Sequence, residues 1–254
     1  MLIVIICSLI GGVLSLIGGL VLLVNKGLQQ KVEYLTAFAG GTLLAAAFSD
    51  LLPEAIEQAA DINLIIWSTL AGLLFFFVLE TILTKFCGHD CEHQHHQHLL
   101  AVDSKVSLIV VGDTIHNFVD GVAIAAGFLI SPLSGVITTL AVAAHEIPQE
   151  IGEFALLFGK KVRRRKIVAA NLISSLATTV SAVVFYYLGS VTEVSVAPFL
   201  ALVAGFFIYL AVSDIMPNIN QEEAYGKRVG KVLILILSVV ATSWLIIFLH
   251  GVSR

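Results

Sequence analysis

The chain has 254 residues, of which 58% are hydrophobic and only 13% are charged, and its mean hydropathy is +0.97. Soluble domains average about 45–50% apolar and about 25% charged residues, so this composition excludes a soluble enzyme and indicates an integral membrane protein. The net charge of -4 gives no indication of a nucleic-acid partner, and three cysteines are too few for a disulfide framework.

Eight stretches are long and apolar enough to cross a lipid bilayer as helices, which takes about 20 residues each. They predict an all-α polytopic membrane protein with a single eight-helix domain over residues 1–254. The first stretch has no basic residue before its apolar run and is longer than a signal-peptide core, so we interpret it as a retained span. The predicted spans are Leu2–Val24, Tyr34–Leu52, Ile62–Thr84, Val106–Ile130, Leu133–Phe158, Ile167–Gly189, Ala197–Met216 and Val232–His250.

Positive charges cluster in alternate loops. Every lysine and arginine except Arg254 lies in, or at the edge of, a loop that follows an odd-numbered span. Because cytoplasmic loops carry the excess of these residues, we expect the odd-numbered loops to be cytoplasmic and both termini extracytoplasmic. Two of these loops are a histidine-rich segment, residues 85–104, and a basic segment, residues 159–166. The pattern predicts a multi-pass protein of the plasma or inner membrane.

Spans 2 and 7 end in similar sequences. AFSDLLP at residues 47–53 and AVSDIMP at residues 211–217 each follow a glycine, Gly41 or Gly205, nine residues before the aspartate. Span 2 is predicted to run outward and span 7 inward, so the two copies have opposite topology. Three spans also lie on either side of a central pair. An inverted 3+2+3 repeat of this kind is typical of secondary transporters.

The predicted loop between spans 3 and 4 is rich in histidine and cysteine. Tracts of this composition bind zinc-like ions without a fixed fold, and cytoplasmic cysteines stay reduced. A receiving or sensing role and a simple flexible linker are both open. The candidate auxiliary ligands are Cys87, His89, Cys91, His93, His95, His96 and His98.

Spans 4 and 5 carry most of the ionisable residues predicted to lie within the membrane. Such groups are costly in lipid unless they are paired or coordinate an ion, so each is a candidate functional residue. His116 and Asp120 are four residues apart on span 4, as are His145 and Gln149 on span 5, and each pair therefore shares a helix face. Two antiparallel helices joined by a short turn would bring these four side chains to one point.

Two imidazoles with carboxylate and amide oxygens favour a borderline divalent cation such as Zn²⁺ over Ca²⁺ or Mg²⁺. Pro148 adds a free carbonyl oxygen beside the site, because proline has no N–H to donate within the helix. Asn117 and Glu146 each follow a histidine and point to an adjacent sector, where Asp120 could bridge to a second, oxygen-richer metal position. A buried polar network that only joins the helices is the alternative.

The remaining acidic residues predict a path for the ion. Asp113 and Glu153 lie toward the cytoplasmic ends of their spans, and Glu150 is either a path residue or a ligand. Asp50 near the outer face and Asp214 near the inner face are mirror-related residues of the two mouths. Capping or solvation of helix ends is the alternative for all five.

Two motifs resemble those of the ZIP (Zrt/Irt-like) family of zinc and iron transporters: HNFVDG at residues 116–121 and HEIPQE at residues 145–150. The nearest branch has HExPHE in its fifth span. The resemblance extends to the eight spans, the outside termini and the histidine-rich loop. It implies import of a divalent metal, as substrate, into the cytosol through a binuclear site between spans 4 and 5. It also implies a homodimer in which a transport bundle slides against a scaffold bundle.

The resemblance implies which residues hold the first metal. His116, Asp120 and His145 would be three of the ligands, with Gln149 in the place of the fourth. The family branch has a histidine where Gln149 stands here, and a neutral amide is a weaker donor than imidazole. We therefore expect lower zinc affinity or an altered preference among Zn²⁺, Fe²⁺, Mn²⁺ and Cd²⁺.

The resemblance also implies a second metal, held by Asn117, Asp120 and Glu146. Asn171 in span 6, with Ser174, matches the Asn-x-x-Ser pattern of the branch and would complete this position. The predicted metal-site residues are His116, Asn117, Asp120, His145, Glu146, Gln149, Glu150 and Asn171.

Two other classes of function stay open. Residues 145–149 resemble the H-E-x-x-H pattern of zinc hydrolases, with Glu146 as general base, but lack its second histidine. A metal channel or an exporter would use similar ligands, because a binding site does not encode direction. The mechanism we predict is binding followed by alternating exposure, without a catalytic residue or cofactor.

Overall fold

The computed structural model describes residues 1–24, 31–88, 98–159, 162–192, 195–222 and 224–253, and within these ranges it contains helices and no strand. The helices form eight long segments in the described residues. They are α1 (Leu2–Val24), α2 (Val32–Ala46, continued by π-helical Ala47–Leu51 and by Leu52–Glu57), α3 (Ile62–Gly88), α4 (His98–Ile130), α5 (Pro132–Gly159), α6 (Arg164–Val191), α7 (Ala197–Leu210, continued by π-helical Ala211–Ile215 and by Met216–Asn220) and α8 (Tyr225–Ser253).

Much of the outer surface of the bundle is apolar. Large side chains such as Trp67 and Trp244 are exposed, as expected where lipid surrounds a protein. The described side chains also include apolar stretches of α1 and α5, Leu2–Gly12 and Pro132–Ile147. Five helices of the described part of the chain are long and apolar enough to cross a membrane: Glu33–Glu57, Ile62–Ile82, Arg164–Val191, Ala197–Asn220 and Tyr225–Gly251. In the part that the structure describes, the chain is all-helical, as expected of a polytopic membrane protein; the eight crossings and their orientation stay predictions.

Several helices extend beyond their predicted apolar spans. α4 begins at His98 rather than at Val106, and α8 begins at Tyr225 rather than at Val232. The predicted loop 85–104 is therefore helical at both edges, and residues 89–97 lie outside the described residues. The last three residues of the predicted basic loop 159–166 belong to α6. Hydropathy marks only the apolar part of a helix, whereas its hydrogen bonds continue into the polar flanks.

The main helix contacts are related by an exchange of helices. α4 packs against α6 as α5 packs against α1, and α3 packs against α7 as α8 packs against α2. Exchanging α1 with α6, α2 with α7, α3 with α8 and α4 with α5 thus maps these contacts onto one another. At the α3–α7 contact the Tyr209 hydroxyl donates a hydrogen bond to Glu80, a carboxylate to which the sequence assigns no role.

Both copies of the predicted repeat leave α-helical geometry at the same sequence position. Ala47–Leu51 and Ala211–Ile215 are π-helical, and each is followed two residues later by a proline, Pro53 or Pro217. π-Helical turns are rare and occur frequently at functional sites. Equal local geometry in the two copies supports the predicted repeat.

The glycine of each copy allows a close helix contact. A Cβ atom on Gly41 of α2 would lie 2.4 Å from the Leu235 carbonyl oxygen of α8. A Cβ atom on Gly205 of α7 would lie 2.0 Å from the Thr69 carbonyl oxygen of α3. Only glycine fits at either position, because a neighbouring backbone cannot move aside locally. The two contacts correspond under the helix exchange described above.

Candidate metal site

Three buried side chains of α4 and α5 meet at the centre of the bundle. The Asp120 Oδ2 atom lies 3.2 Å from His116 Nε2 and 3.1 Å from His145 Nε2. None of the three residues is more than 4% exposed. One donor atom from each residue lies within 4.8 Å of the other two. Among the described residues, no other three histidine, cysteine or acidic side chains lie this close together. A single ion could therefore contact all three.

Helix geometry explains how these side chains come together. His116 and Asp120 are separated by one turn of α4, which places them on one face. α5 runs antiparallel after the turn at Ser131 and presents His145 to that face. A Cβ atom on Gly121 would lie 2.1 Å from the Thr178 carbonyl oxygen of α6, so this glycine lets α4 seat closely against α6.

The orientation of the His145 ring favours a bound cation. Its Nδ1 atom lies 3.0 Å from the Ala141 carbonyl oxygen, which can only accept a hydrogen bond, so Nδ1 carries the proton. In a neutral imidazole Nε2 then presents a lone pair, and it faces the Asp120 carboxylate at 3.1 Å. A lone pair against a carboxylate is repulsive unless a positive charge lies between them, either a proton on Nε2 or a metal ion. A backbone carbonyl that orients the second ring nitrogen is also the usual arrangement for a ligating histidine.

Two phenylalanines of α7 enclose the histidines. The ring centre of Phe206 lies 5.1 Å from that of His116, and the ring centre of Phe207 lies 5.0 Å from that of His145. Both phenylalanines are 1% exposed, and Phe76 of α3 stacks on Phe206. The sequence analysis missed these residues because two aromatic residues within an apolar span give no distinguishing signal. They keep water from one side of the cluster.

Asn117 belongs to a polar network between α4 and α6. Its amide nitrogen donates to the Asp113 carbonyl and carboxylate oxygens, each at 3.0 Å, and to Ser174 Oγ at 2.9 Å. Thr178 Oγ1 donates to the Asn117 amide oxygen at 2.8 Å, and Ser174 donates to Asp113. The sequence analysis missed Thr178, because a single threonine within a predicted span belongs to no motif. In this arrangement the amide oxygen predicted to face a second metal already accepts a hydrogen bond from α6.

Glu146, Glu150 and Asn171 are also buried. Glu146 and Glu150 are each 2% exposed and lie one turn apart on α5. The Asn171 amide of α6 donates a hydrogen bond to Glu150. Asp113, Glu150 and Asn171 line a small pocket together with Phe154. This hydrogen bond links Glu150 to α6, in the half of α5 that is nearer its carboxyl end.

Asp50 belongs to α2 and contacts α5 near the start of that helix, at the end opposite to this pocket. It is 3% exposed, and Thr138 Oγ1 donates a hydrogen bond to its Oδ2 atom at 3.3 Å. The side chains of Gln149, Glu153 and Asp214 lie outside the described residues. So do the auxiliary ligands predicted for the histidine-rich loop, Cys87, His89, Cys91, His93, His95, His96 and His98. The fourth ligand and the auxiliary site therefore stay predictions.

Known proteins match this chain over most of its length. A family model described as "ZIP Zinc transporter" matches residues 1–107 and 89–248. Zinc transporter ZIP13 of Pongo abelii is 29% identical over 92% of this chain and 76% of its own length. Zinc transporter YKE4 of Saccharomyces cerevisiae is 23% identical over 79% of this chain and 64% of its own length. Zinc transporter ZIP4 of Homo sapiens is 40% identical over 43% of this chain, but over only 17% of its own length. Since the family model covers nearly the whole chain, the resemblance carried by the two motifs is confirmed, and the protein belongs to the ZIP zinc transporter family.

Proposed function

We propose that this protein carries divalent transition-metal ions, zinc foremost, across the membrane into the cytosol. Metal-ion transport follows from its family, whose members are transporters rather than enzymes, so the zinc-hydrolase alternative is excluded. The observation that carries the proposal for this chain is the buried cluster of His116, Asp120 and His145. A carboxylate between two imidazoles, buried between α4 and α5, supplies the donor atoms that a partly dehydrated divalent cation needs.

The donor types of this cluster fit zinc. Two imidazole nitrogens and one carboxylate oxygen make three ligands of a tetrahedral site, and zinc accepts this mixture readily. We propose Gln149 as the fourth ligand, because it follows His145 by one turn of α5 and so lies on the same helix face. A fourth donor that is an amide binds weakly, which suits an ion that must leave again.

We also propose a second metal position beside the first, held by Asn117, Asp120, Glu146 and Asn171. The burial of all four residues and the position of Glu146 directly after His145 support it. The Asn117 amide oxygen accepts a hydrogen bond from Thr178. An ion at the second position must therefore share this oxygen with the Thr178 hydroxyl or displace the hydroxyl from it.

Transport proceeds, in this proposal, by alternating exposure of the cluster. The ion arrives past Asp50 and leaves past Asp113, Glu153 and Asp214. α4 and α5, with α1 and α6, form the moving bundle, and α2, α3, α7 and α8 form the scaffold of a homodimer. The exchange symmetry of the helix contacts supports this division, since inverted repeats allow two related arrangements. Movement of this kind would change the contact of the two phenylalanines of α7 with the histidine rings.

Vesicles that contain the purified protein test the function. We expect saturable zinc uptake. We also expect unlabelled zinc inside the vesicles to accelerate the entry of labelled zinc, because a carrier can carry an internal ion outward as its binding site turns back to face the outside. Imposed gradients of metal and of protons then establish direction and coupling. A flux that does not saturate and is not accelerated in this way would indicate a channel, and a flux that proceeds only toward the extracytoplasmic face would indicate an exporter.

The identity of residue 149 should set zinc affinity. Replacing Gln149 by histidine restores the stronger donor of the family branch, so we expect the half-saturating zinc concentration to fall several-fold. The same change at Gln221, an exposed glutamine, is the matched control and should leave it unchanged. Uptake of zinc, iron, manganese and cadmium by the two variants checks this. An unchanged zinc concentration at half saturation and an unchanged ranking of metals would contradict the role of residue 149.

The histidine-rich loop should modulate transport rather than perform it. Deleting residues 89–98 removes most of the auxiliary ligands but none of the residues of the buried cluster. We expect zinc uptake to persist, with a changed maximal rate or a changed response to internal zinc. Loss of all uptake by a variant that reaches the membrane in normal amount would place the loop in the transport path itself.

A further inference from the structure

A cavity of about 490 Å³ opens at the end of the bundle where α4 turns into α5. It is bordered by the end of α2, by the turn around Ser131 and by the end of α8. No lysine or arginine is among its ten lining residues. Its polar lining comprises three carboxylates, one imidazole and two hydroxyls, from Asp50, Glu54, Glu57, His250, Ser131 and Ser134.

An imidazole and a carboxylate face each other in this cavity. His250 Nε2 of α8 lies 3.6 Å from Asp50 Oδ1 of α2. The second oxygen of Asp50 accepts the hydrogen bond from Thr138 of α5, which fixes the carboxylate with Oδ1 toward the imidazole. The His250 side chain is 27% exposed and lines the cavity, whereas its Nε2 atom and Asp50 are buried. Three helices that are distant in sequence thus converge on one pair of donors.

The lining selects a class of ligand. Three carboxylates without a basic side chain create a negative potential that concentrates cations. A carboxylate alone would favour hard ions such as Ca²⁺ or Mg²⁺, whereas an imidazole beside it favours zinc and its neighbours among the transition metals. The cavity therefore combines attraction of divalent cations with preference for the metals that the buried cluster suits.

The cavity is also connected to the buried cluster along α5. Thr138, Ala141 and His145 are spaced three and four residues apart and lie on one helix face. Thr138 contacts Asp50 in the cavity, and the Ala141 carbonyl accepts the hydrogen bond from His145. Seven residues of helix correspond to a rise of about 10 Å, so the two donor groups are about two turns apart.

We propose that Asp50 and His250 form a separate binding site for a divalent transition-metal ion, with Glu54 of the cavity wall moving closer as a third ligand when the ion binds. The site captures the ion at this mouth before the ion reaches the buried cluster. The direction of movement in this statement rests on the proposed function, but binding at the site does not. His250 is a ligand that no sequence motif marks, because its partner lies 200 residues earlier in the chain.

Chemical modification of His250 tests the site in the full-length protein. Diethyl pyrocarbonate modifies accessible imidazoles, and peptide mapping by mass spectrometry reports His250 separately from the loop histidines. We expect zinc to slow the modification of His250 about tenfold in the unmodified sequence and equally in the His116→Ala variant. Protection should disappear in Asp50→Asn and persist in Asp61→Asn, which changes an exposed carboxylate outside the cavity.

Transport kinetics give a second, independent readout. His250→Ala, and His250→Gln if the alanine variant is unstable, should raise the zinc KM about tenfold and change kcat by less than about twofold, because capture precedes the committed step. Absence of zinc protection at His250, its loss in His116→Ala, its persistence in Asp50→Asn, or an unchanged KM would each overturn the proposal. Protection of His250 in a protein that transports nothing would refute the proposed function and leave this site standing.

Discussion

Replacing Asp120 by asparagine, or His116 by alanine, should reduce zinc uptake to the level of empty vesicles. The Asp120 Oδ2 atom lies within 3.2 Å of the Nε2 atoms of His116 and His145. Asp120 is therefore the ligand that contacts both of the others, and it brings the negative charge of the cluster. A neutral amide of equal size cannot compensate a dication that has left water. Uptake of radioactive zinc by vesicles of equal protein content measures the effect.

The matched control for Asp120→Asn is Asp61→Asn, which makes the same change on an exposed residue. It should transport zinc at the rate of the unmodified sequence. Both variants should also elute from a sizing column as the unmodified protein does, because the cluster lies between helices that other contacts hold together. Substantial zinc uptake by Asp120→Asn would show that the cluster is a structural network and that the ion travels elsewhere.

Replacing Gly121 by alanine should separate α4 from α6 and destabilise the protein by about 1–3 kcal/mol, which is the usual effect of overpacking. The added Cβ atom would lie 2.0 Å from Ser181 Oγ and 2.1 Å from the Thr178 carbonyl oxygen. The hydroxyl can rotate away, but the carbonyl is backbone and cannot. Since Gly121 follows Asp120 directly, the shift should also displace a metal ligand, and we expect transport to fall with stability.

Gly112 of the same helix provides the control for Gly121. Nothing lies within 4 Å of a Cβ atom added at Gly112, so Gly112→Ala should be tolerated, and the higher helix propensity of alanine should make it neutral or slightly stabilising. Thermal unfolding in detergent, followed together with zinc uptake, compares the two variants. Equal unfolding temperatures for both would mean that the α4–α6 contact is not tight at Gly121.

Local spacing in the sequence predicted the centre of the site. Four-residue spacing places His116 and Asp120 on one face of a helix whatever surrounds it, and a short turn forces the next helix to run back beside it. These two facts suffice to bring His145 to Asp120. The alternation of basic loops and the repeated Ser-Asp sequence could also be recognised in the sequence, because each depends only on residues that are close along the chain.

Contacts between distant helices could not be predicted in this way. Phe206 and Phe207 contact the histidines, and Thr178 binds Asn117, only because α6 and α7 pack where they do. His250 has no signal in its own neighbourhood, since its partner is Asp50 at the end of α2. Helix periodicity specifies which face is polar, but not which other helix meets that face.

The structure also differs from the sequence prediction in where the helices begin. Hydropathy predicted the start of α4 at Val106, eight residues after the helix begins, because residues 98–105 include charged and polar side chains. A helix that projects from the membrane keeps its hydrogen bonds in water, so the apolar pattern ends before the helix does.

Anomalous X-ray scattering from crystals soaked in zinc or cadmium tests the central claim most directly, because it locates the ion without reference to activity. We expect a peak between α4 and α5, for zinc at about 2.0–2.2 Å from the nearest nitrogens of His116 and His145 and from a carboxylate oxygen of Asp120, and for cadmium at the same place with longer bonds. A protein that transports zinc but whose crystals show ions only elsewhere, with none beside these three residues, would contradict the claim that they hold the transported ion.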